Sequence, residues 1–406
     1  MLLTPSFKKY SLLCCLALGL TRAGAQTNGL EIIGYNNNFD PTIIRDLATS
    51  PYTTFIDGFL IPTANSTGAN PGLVFDNYRG TADESQVSAS RVGAYTAAQD
   101  AGKKVLLSFG GFGVDSSTYQ TFAATPQATQ TLANILAAYV TAGSSYFNAV
   151  TQQTVPISTH NPAGGAFRGY SGIDLDFEDT QSFLATGTYN GVNFISQLTI
   201  DLRAALGNNY LITQAPQTPY LDPAFANGPS SQYANGAYRA VFANNYNTAN
   251  PTATEAGLKT NWLNVQFYNN PGYDGDGTVS GVVQAFERLV TANPAISAKK
   301  FVLTLPLGQR NANDNNQFTS AQITDIVSQI DAFLKARGDG GIAGVAGFQL
   351  SNFDLTQAQA EAADLAFANA ILAGVVPEPS TWALALCGTV ALGWTLRRRR
   401  VSSARL

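Results

Sequence analysis

Eight short apolar runs punctuate the chain, at Leu30–Tyr35, Thr53–Leu60, Lys104–Phe109, Gly172–Glu178, Tyr210–Ala215, Trp262–Tyr268, Lys300–Pro306 and Gly344–Leu350. Each has the length and β-branched or aromatic content of a strand. The stretches between them carry apolar residues at helical spacing, clearest in Val92–Ala101, Thr129–Ala142, Gly191–Leu206, Gly281–Ala292 and Ser320–Lys335. Strand alternating with helix predicts a parallel sheet, and eight such units in roughly 350 residues predict an α/β fold, a (β/α)8 TIM barrel. No domain boundary interrupts it. The Gly-, Asn- and Pro-rich stretches Asn65–Gly80, Thr159–Gly169 and Asn227–Pro251 read as long loop insertions on that frame.

The fourth run departs from the others. It alternates Ile173, Leu175 and Phe177 with Asp174, Asp176 and Glu178, and a period of two places the three acids on one face. Carboxylates that close cannot all ionise, so at least one keeps its proton towards neutrality, as a general acid must. An acidic solvent edge would not need three bulky apolar partners, and a calcium loop would need glycine between its oxygen ligands. In a barrel of this kind active sites form at the carboxyl ends of the strands. Glu178 ends the fourth run, Tyr268 the sixth, and Gly110-Gly111 follow the third, so all three meet at one mouth.

The two ends read differently from the centre. Lys8 and Lys9, an apolar stretch Leu12–Leu20 and Ala23-Gly24-Ala25 form the order of a secretory signal peptide over residues 1–25, cut before Gln26. Residues 26–374 are then the exported barrel. Beyond them Val376-Pro377-Glu378-Pro379-Ser380 leads into an apolar run, Trp382–Leu396, and into Arg397–Arg400. That run is short against the roughly 20 residues of a spanning helix, and the arginines would hold its far side in the cytoplasm. The three cysteines, Cys14, Cys15 and Cys387, all lie in the end segments, so the barrel has no disulfide and no thiol chemistry. With the ends removed, 15 basic residues face 26 acidic ones, a formal charge of about −11. No basic stripe interleaved with aromatics appears, which argues against a nucleic-acid partner.

His160 is the one histidine, in a Ser-Thr-His-Asn-Pro stretch that reads as loop. One histidine and no usable cysteine argue against a zinc centre, a Ser-His-Asp triad and most redox cofactors, so no metal and no cofactor are expected. Asp274-Gly275-Asp276-Gly277 reads as a turn rather than a calcium loop. Catalysis falls to carboxylates and tyrosines.

These motifs resemble glycoside hydrolase family 18. Its fourth-strand signature Asp-x-x-Asp-x-Asp-x-Glu is present with Ser171 in the first place, followed by Asp174, Asp176 and Glu178, and its third-strand Ser-x-Gly-Gly is Ser108-Phe109-Gly110-Gly111. Lys104–Ser108, Gln214-Ala215-Pro216-Gln217, Val265–Pro271 and Phe301–Pro306 follow, in order, the pattern of class III chitinases of the hevamine type. The resemblance implies a retaining endo-glycosidase that cuts β-1,4 links beside a GlcNAc residue through the substrate's own 2-acetamido oxygen. It implies Glu178 as general acid and base, Asp176 as the partner of the acetamido N–H, Asp174 as the group sharing a proton with Asp176, and Tyr268 as the holder of the acetamido oxygen. Tyr35, Gly110, Gly111, Gln214, Gln266 and Asn269 are the expected substrate-binding residues. The tail resembles the PEP-CTERM sorting signal, which implies a transient membrane anchor, a sorting protease as partner, and a final place at the cell surface or outside the cell. A monomer acting on a polysaccharide is the expected state.

Two departures mark this chain. Ser171 removes a charge that the signature places behind Asp174, and the last strand, Gly344–Ser351, lacks the tryptophan that such chitinases set under the scissile sugar, leaving Phe348 or Leu350 to serve. A carbohydrate-binding barrel without activity, and an endo-β-N-acetylglucosaminidase acting on glycans, are the competing expectations.

Overall fold

The structure is a computed structural model that describes residues 29–37, 47–63, 65–75, 89–114, 116–141, 145–148, 153–156, 168–178, 191–222, 259–307, 317–350 and 356–375. All eight apolar runs are strands: β1 (Glu31–Asn36), β2 (Thr54–Pro62), β3 (Lys104–Gly110), β4 (Gly172–Asp176), β5 (Leu211–Gln214), β6 (Trp262–Gln266), β7 (Phe301–Pro306) and β8 (Gly344–Phe348). They pair in parallel with their chain neighbours, and β8 returns to pair with β1, which closes the (β/α)8 barrel. Closure leaves none of the eight as an edge.

Strand parity divides the apolar side chains into two bodies. Ile33, Tyr35, Ile56, Leu106, Trp262, Val302 and Ala346 form a small cluster inside the barrel. The alternate positions, among them Ile32, Phe55, Val105, Ile173, Leu175, Leu263 and Leu303, join the helices in one large outer core. Helices α1 (Ala89–Asp100), α2 (Ser116–Ala123), α3 (Pro126–Thr141), α4 (Gly191–Leu206), α5 (Val279–Ala292), α6 (Ser320–Ala336) and α7 (Gln357–Val375) supply its outer wall. On α5 the buried Val282, Val283, Phe286, Leu289 and Val290 recur at helical spacing, and Thr278 caps its first turn by accepting from the Gly281 N–H. On α6 Thr319 and Gln322 form a reciprocal capping box.

Several elements are additions to the sequence reading. The strand Leu73–Phe75 runs antiparallel to the end of β2, and Ser145–Asn148 pairs with Gln153–Pro156 as a separate hairpin. Helix α2 is short. Helix α7 is so rich in alanine that small apolar residues appear on every face, which leaves no distinct stripe to read from the sequence. Of the three insertions, residues 65–75 of the first are described, with only residues 168 and 169 of the second. The third, and His160, lie outside the described residues.

No helix among the described residues is long and apolar enough to cross a membrane. The amino-terminal segment 1–28 and the Trp382–Leu396 run both lie outside them.

Candidate active site

β4 carries the carboxylates. The registers Ser108 with Asp174 and Gly110 with Asp176 on one side, and Asp174 with Thr213 on the other, bring the inward residues of β3, β4 and β5 level. The strand itself ends at Asp176, two residues before the predicted end, but the chain keeps its alternation. Phe177 is buried outside the barrel against Tyr119, Phe109 and Phe194, with ring centroids 5.0, 6.1 and 5.7 Å away. Glu178 turns to the mouth and remains part exposed. The aromatic contacts thus fix the backbone from which Glu178 projects.

Asp174 is fully buried, and no described residue forms an ion pair with it. Its Oδ2 accepts from the Tyr35 hydroxyl at 3.0 Å and the Ser108 hydroxyl at 3.2 Å, and its Oδ1 from Thr213 Oγ1 at 2.5 Å and Asn264 Nδ2 at 3.0 Å. Burial pushes this carboxyl above its ordinary range, and the four donors pull it back. Asp176, one step nearer the mouth, accepts from Gln266 Nε2 at 3.1 Å. Burial, then the charges of Glu178 and Asp174, push Asp176 well up. Burial also raises Glu178, while hydrogen bonds from Gln217, Gln266 and Asp176 restrain it. Asp176 and Glu178 therefore form a coupled pair that holds a proton above the usual carboxylate range.

Gln217 Nε2 reaches Glu178 Oε2 at 3.1 Å, and the Tyr220 hydroxyl donates to the Glu178 carbonyl at 2.9 Å. The Tyr268 ring lies over Phe348, centroids 5.7 Å apart and 22° from parallel, while Tyr35 meets the same phenylalanine edge-on at 5.9 Å. Burial and the three carboxylates push the Tyr268 phenol well up, so it stays a neutral donor. Its hydroxyl makes no hydrogen bond to another described residue.

Most of the expected residues converge. Tyr35, Asp174, Asp176, Gln266, Glu178 and Tyr268 share the upper barrel, and Asn269 is exposed at its rim in a left-handed backbone conformation, φ 59°. Gln214 does not join them. Thr213 points inward, so Gln214 points out, and its amide donates to Thr199 Oγ1 on α4 at 3.2 Å and to Thr260 Oγ1 at 3.0 Å. Gly110 and Gly111 are buried, and protein fills the space that their missing side chains leave. A Cβ on Gly110 would stand 2.1 Å from the Asp176 carbonyl oxygen, and one on Gly111 would stand 2.9 Å from the Phe59 ring. Leu350 is buried against Gly34, while Phe348 is half-buried between Tyr35 and Tyr268, so of the two it is Phe348 that lies beside the candidate site.

Ser171 does not lie behind Asp174 at all. Its hydroxyl accepts from the Val105 N–H at 3.1 Å at the far end of the strand. The support behind Asp174 comes from Thr213 and Asn264, which sequence reasoning missed together with Gln217. The signal for Thr213 and Asn264 was a polar residue at inward parity on a strand, whereas Gln217 lies beyond β5, at the N-cap of the short helix Thr218–Leu221. Phe112 was also missed. It follows Gly110-Gly111 at the mouth and is 90% exposed. Asp274 and Asp276 use their carboxylates on the backbone N–H groups of Asn270, Asp276 and Gly272, as a turn does.

Residues 31–366 match the sequence profile of glycosyl hydrolases family 18, and residues 375–400 match the PEP-CTERM protein-sorting motif. The chain belongs to glycosyl hydrolase family 18 and carries a PEP-CTERM sorting tail. A family 18 chitinase of Pseudoalteromonas aurantia is similar in structure, with TM-score 0.60 and 23% identity over 84% of this chain and 99% of that one. A chitinase of Ipomoea carnea gives TM-score 0.51 and 18% identity over 85% and 100%. The xylanase and α-amylase inhibitor protein of Scadoxus multiflorus gives 0.50 and 17% over 84% and 98%. Among curated proteins none matches the chain. Identities this low establish the shared barrel. The family implies a carbohydrate substrate, and the motif implies export and a sorting system.

Proposed function

We propose that the protein is an exported, retaining endo-glycosidase of chitinase type that cuts β-1,4 links in GlcNAc-containing polysaccharide with assistance from the substrate's acetamido group. The observation that carries this reading is the convergence of Asp174, Asp176 and Glu178, oriented by Gln266 and Gln217, with Tyr268, whose hydroxyl makes no hydrogen bond among the described residues. In the first step Glu178 gives its proton to the glycosidic oxygen, and the acetamido oxygen attacks the anomeric carbon as that bond breaks. Asp176 accepts from the acetamido N–H and Tyr268 donates to the acyl oxygen, which orients the internal nucleophile. Glu178, now ionised, takes a proton from the water that opens the oxazolinium ion, so the β configuration is kept. No second enzyme carboxylate need attack the anomeric carbon.

Phe348 serves as the floor under the sugar and Phe112 as an outer stacking surface at the mouth. Residues 1–25 act as the export signal, residues 26–374 as the catalytic barrel, and residues 375–406 as a transient anchor released by a sorting protease, leaving a monomer at the cell surface or beyond it.

A second reading, a barrel that binds carbohydrate or protein without turnover, draws support from the smaller phenylalanine floor and from the structural likeness to an inhibitor protein. Hydrolysis of chitin oligosaccharides by the wild type and by Glu178→Gln separates the two. Glu178-dependent products released as the β-anomer support the enzyme. Oligosaccharide binding by both proteins with no products supports the binding barrel.

A further inference from the structure

The barrel interior contains a hydrogen-bonded line that starts far from the mouth. Trp262, the first residue of β6, borders a cavity of roughly 570 Å³ at the amino-terminal end of the barrel, together with Glu31, Val302 and Lys299. Its indole Nε1 donates to Asn264 Oδ1 at 3.0 Å, and Asn264 Nδ2 donates to Asp174 Oδ1 at 3.0 Å. All three side chains are buried.

We propose that Trp262 is a positioning residue for the carboxylate triad: its indole N–H locks the Asn264 amide in the orientation that donates to Asp174. This rests on the enzymatic reading of the same site. A primary amide has nearly the same shape when its oxygen and nitrogen are exchanged, so packing alone cannot choose between a donor and an acceptor facing Asp174. An indole N–H can only donate, and that decides the choice. Without it, Asn264 can turn its oxygen towards a buried carboxylate that no cation among the described residues pairs with.

The groups around Asp174 show why one donor matters. β1 presents Tyr35, β3 Ser108, β5 Thr213 and β6 Asn264, all neutral. β4 itself presents Asp176, with Glu178 beyond it and Tyr268 nearby, while β2, β7 and β8 contribute Ile56, Val302, Thr304 and Ala346 to the interior. The Glu31–Lys104 ion pair stands at the amino-terminal end, with Lys104 Nζ 5.7 Å from the Trp262 ring centroid. Among the described residues the donors to Asp174 are all neutral, and when Asp174 is ionised its charge helps keep the proton on the Asp176–Glu178 pair. Loss of one donor makes Asp174 harder to ionise, so it gains its proton at higher pH. The acid limb of the rate profile then moves up, and the alkaline limb, set by loss of the catalytic proton from the pair, stays in place.

The test is the pH dependence of kcat/KM on chitin oligosaccharides for the full chain as wild type, Trp262→Phe, Asn264→Leu and the double variant. One neutral hydrogen bond predicts an acid limb raised by about half to one pH unit in each single variant, that is, about three- to tenfold in proton affinity. The double variant should move no further than Asn264→Leu. An acid limb unmoved in Trp262→Phe, or shifts that add in the double variant, would overturn the lock. Should the phenylalanine variant fail to fold, benzothienylalanine in place of tryptophan removes the N–H and keeps the ring shape. The chain has three tryptophans, and the other two lie in the tail, so the replacement alters one site in the barrel. Titration of the Asp174 carboxyl carbon by NMR reads the same shift without turnover. A shift there in a protein that hydrolyses nothing sinks the enzymatic reading and keeps the lock, and no shift in an active enzyme does the reverse.

Discussion

Gln266 bridges Asp176 and the backbone of Ala215 with one nitrogen, at 3.1 Å to the carboxylate and 3.0 Å to the carbonyl. A residue of β6 thereby crosses over the end of β5 to orient an acid on β4. Gln266→Leu keeps the volume and removes this donor, so Asp176 loses its orientation along with one hydrogen bond. Hydrolysis should fall by about one to two orders of magnitude, mostly in kcat, as expected when a catalytic group is misplaced. Steady-state kinetics beside a circular dichroism spectrum decides it, and wild-type kcat in a folded variant would remove Gln266 from the mechanism.

Asp176 predicts a pH dependence of stability. Its folded pKa is raised by burial and by two neighbouring carboxylates. The unfolded carboxyl titrates near pH 4, so the folded state binds more protons above that point and stability declines as pH rises towards the folded value. Asp176→Asn cannot titrate. The stability of the wild type relative to this variant should be greatest near pH 4 and should diminish on going to pH 8, with a slope of at most about 1.4 kcal/mol per pH unit. Urea unfolding at four or five pH values measures it, and parallel curves would show that Asp176 titrates alike in the folded and unfolded states.

Two glycines with similar backbone angles should respond differently to alanine. Gly110 has φ 110° and would place its Cβ against the Asp176 carbonyl, whereas Gly113 has φ 86° and open space around it. Gly113→Ala carries only the left-handed strain, about 1–2 kcal/mol. Gly110→Ala adds a clash between two strand backbones and should cost at least twice as much. Equal unfolding midpoints for the two variants would refute the packing role of Gly110.

Phe112 offers the opposite case, a large ring that supports almost nothing in the fold. Phe112→Ala should leave the thermal midpoint within a degree or two, since surface changes alter stability by about 0.5 kcal/mol or less. Binding of chitin oligosaccharides should weaken by roughly five- to tenfold, the effect of one lost aromatic stacking surface. Isothermal titration on the Glu178→Gln background reads affinity without turnover, and unchanged affinity would detach Phe112 from the substrate path.

The sequence by itself determined the barrel and the position of its chemistry. Eight apolar runs separated by helical spacing admit few arrangements other than a closed parallel sheet. The alternation Asp174, Asp176, Glu178 fixes their common face because strand parity is a local property of the backbone. What parity alone could not assign was Gln214. The run Leu211-Ile212-Thr213-Gln214 lacks alternation, and only the register with Asp174 shows that Thr213 faces in. The donors around Asp174 were equally hidden, since Asn264 lies 90 residues away along the chain and Tyr35 lies 139. Ser171 stood where the family signature places an acid, yet its hydroxyl serves a neighbouring strand. Local patterns record which face a side chain takes. Which groups meet across that face depends on how distant strands align when the barrel closes, and hydrogen bonds between residues so far apart exist only after the chain has folded.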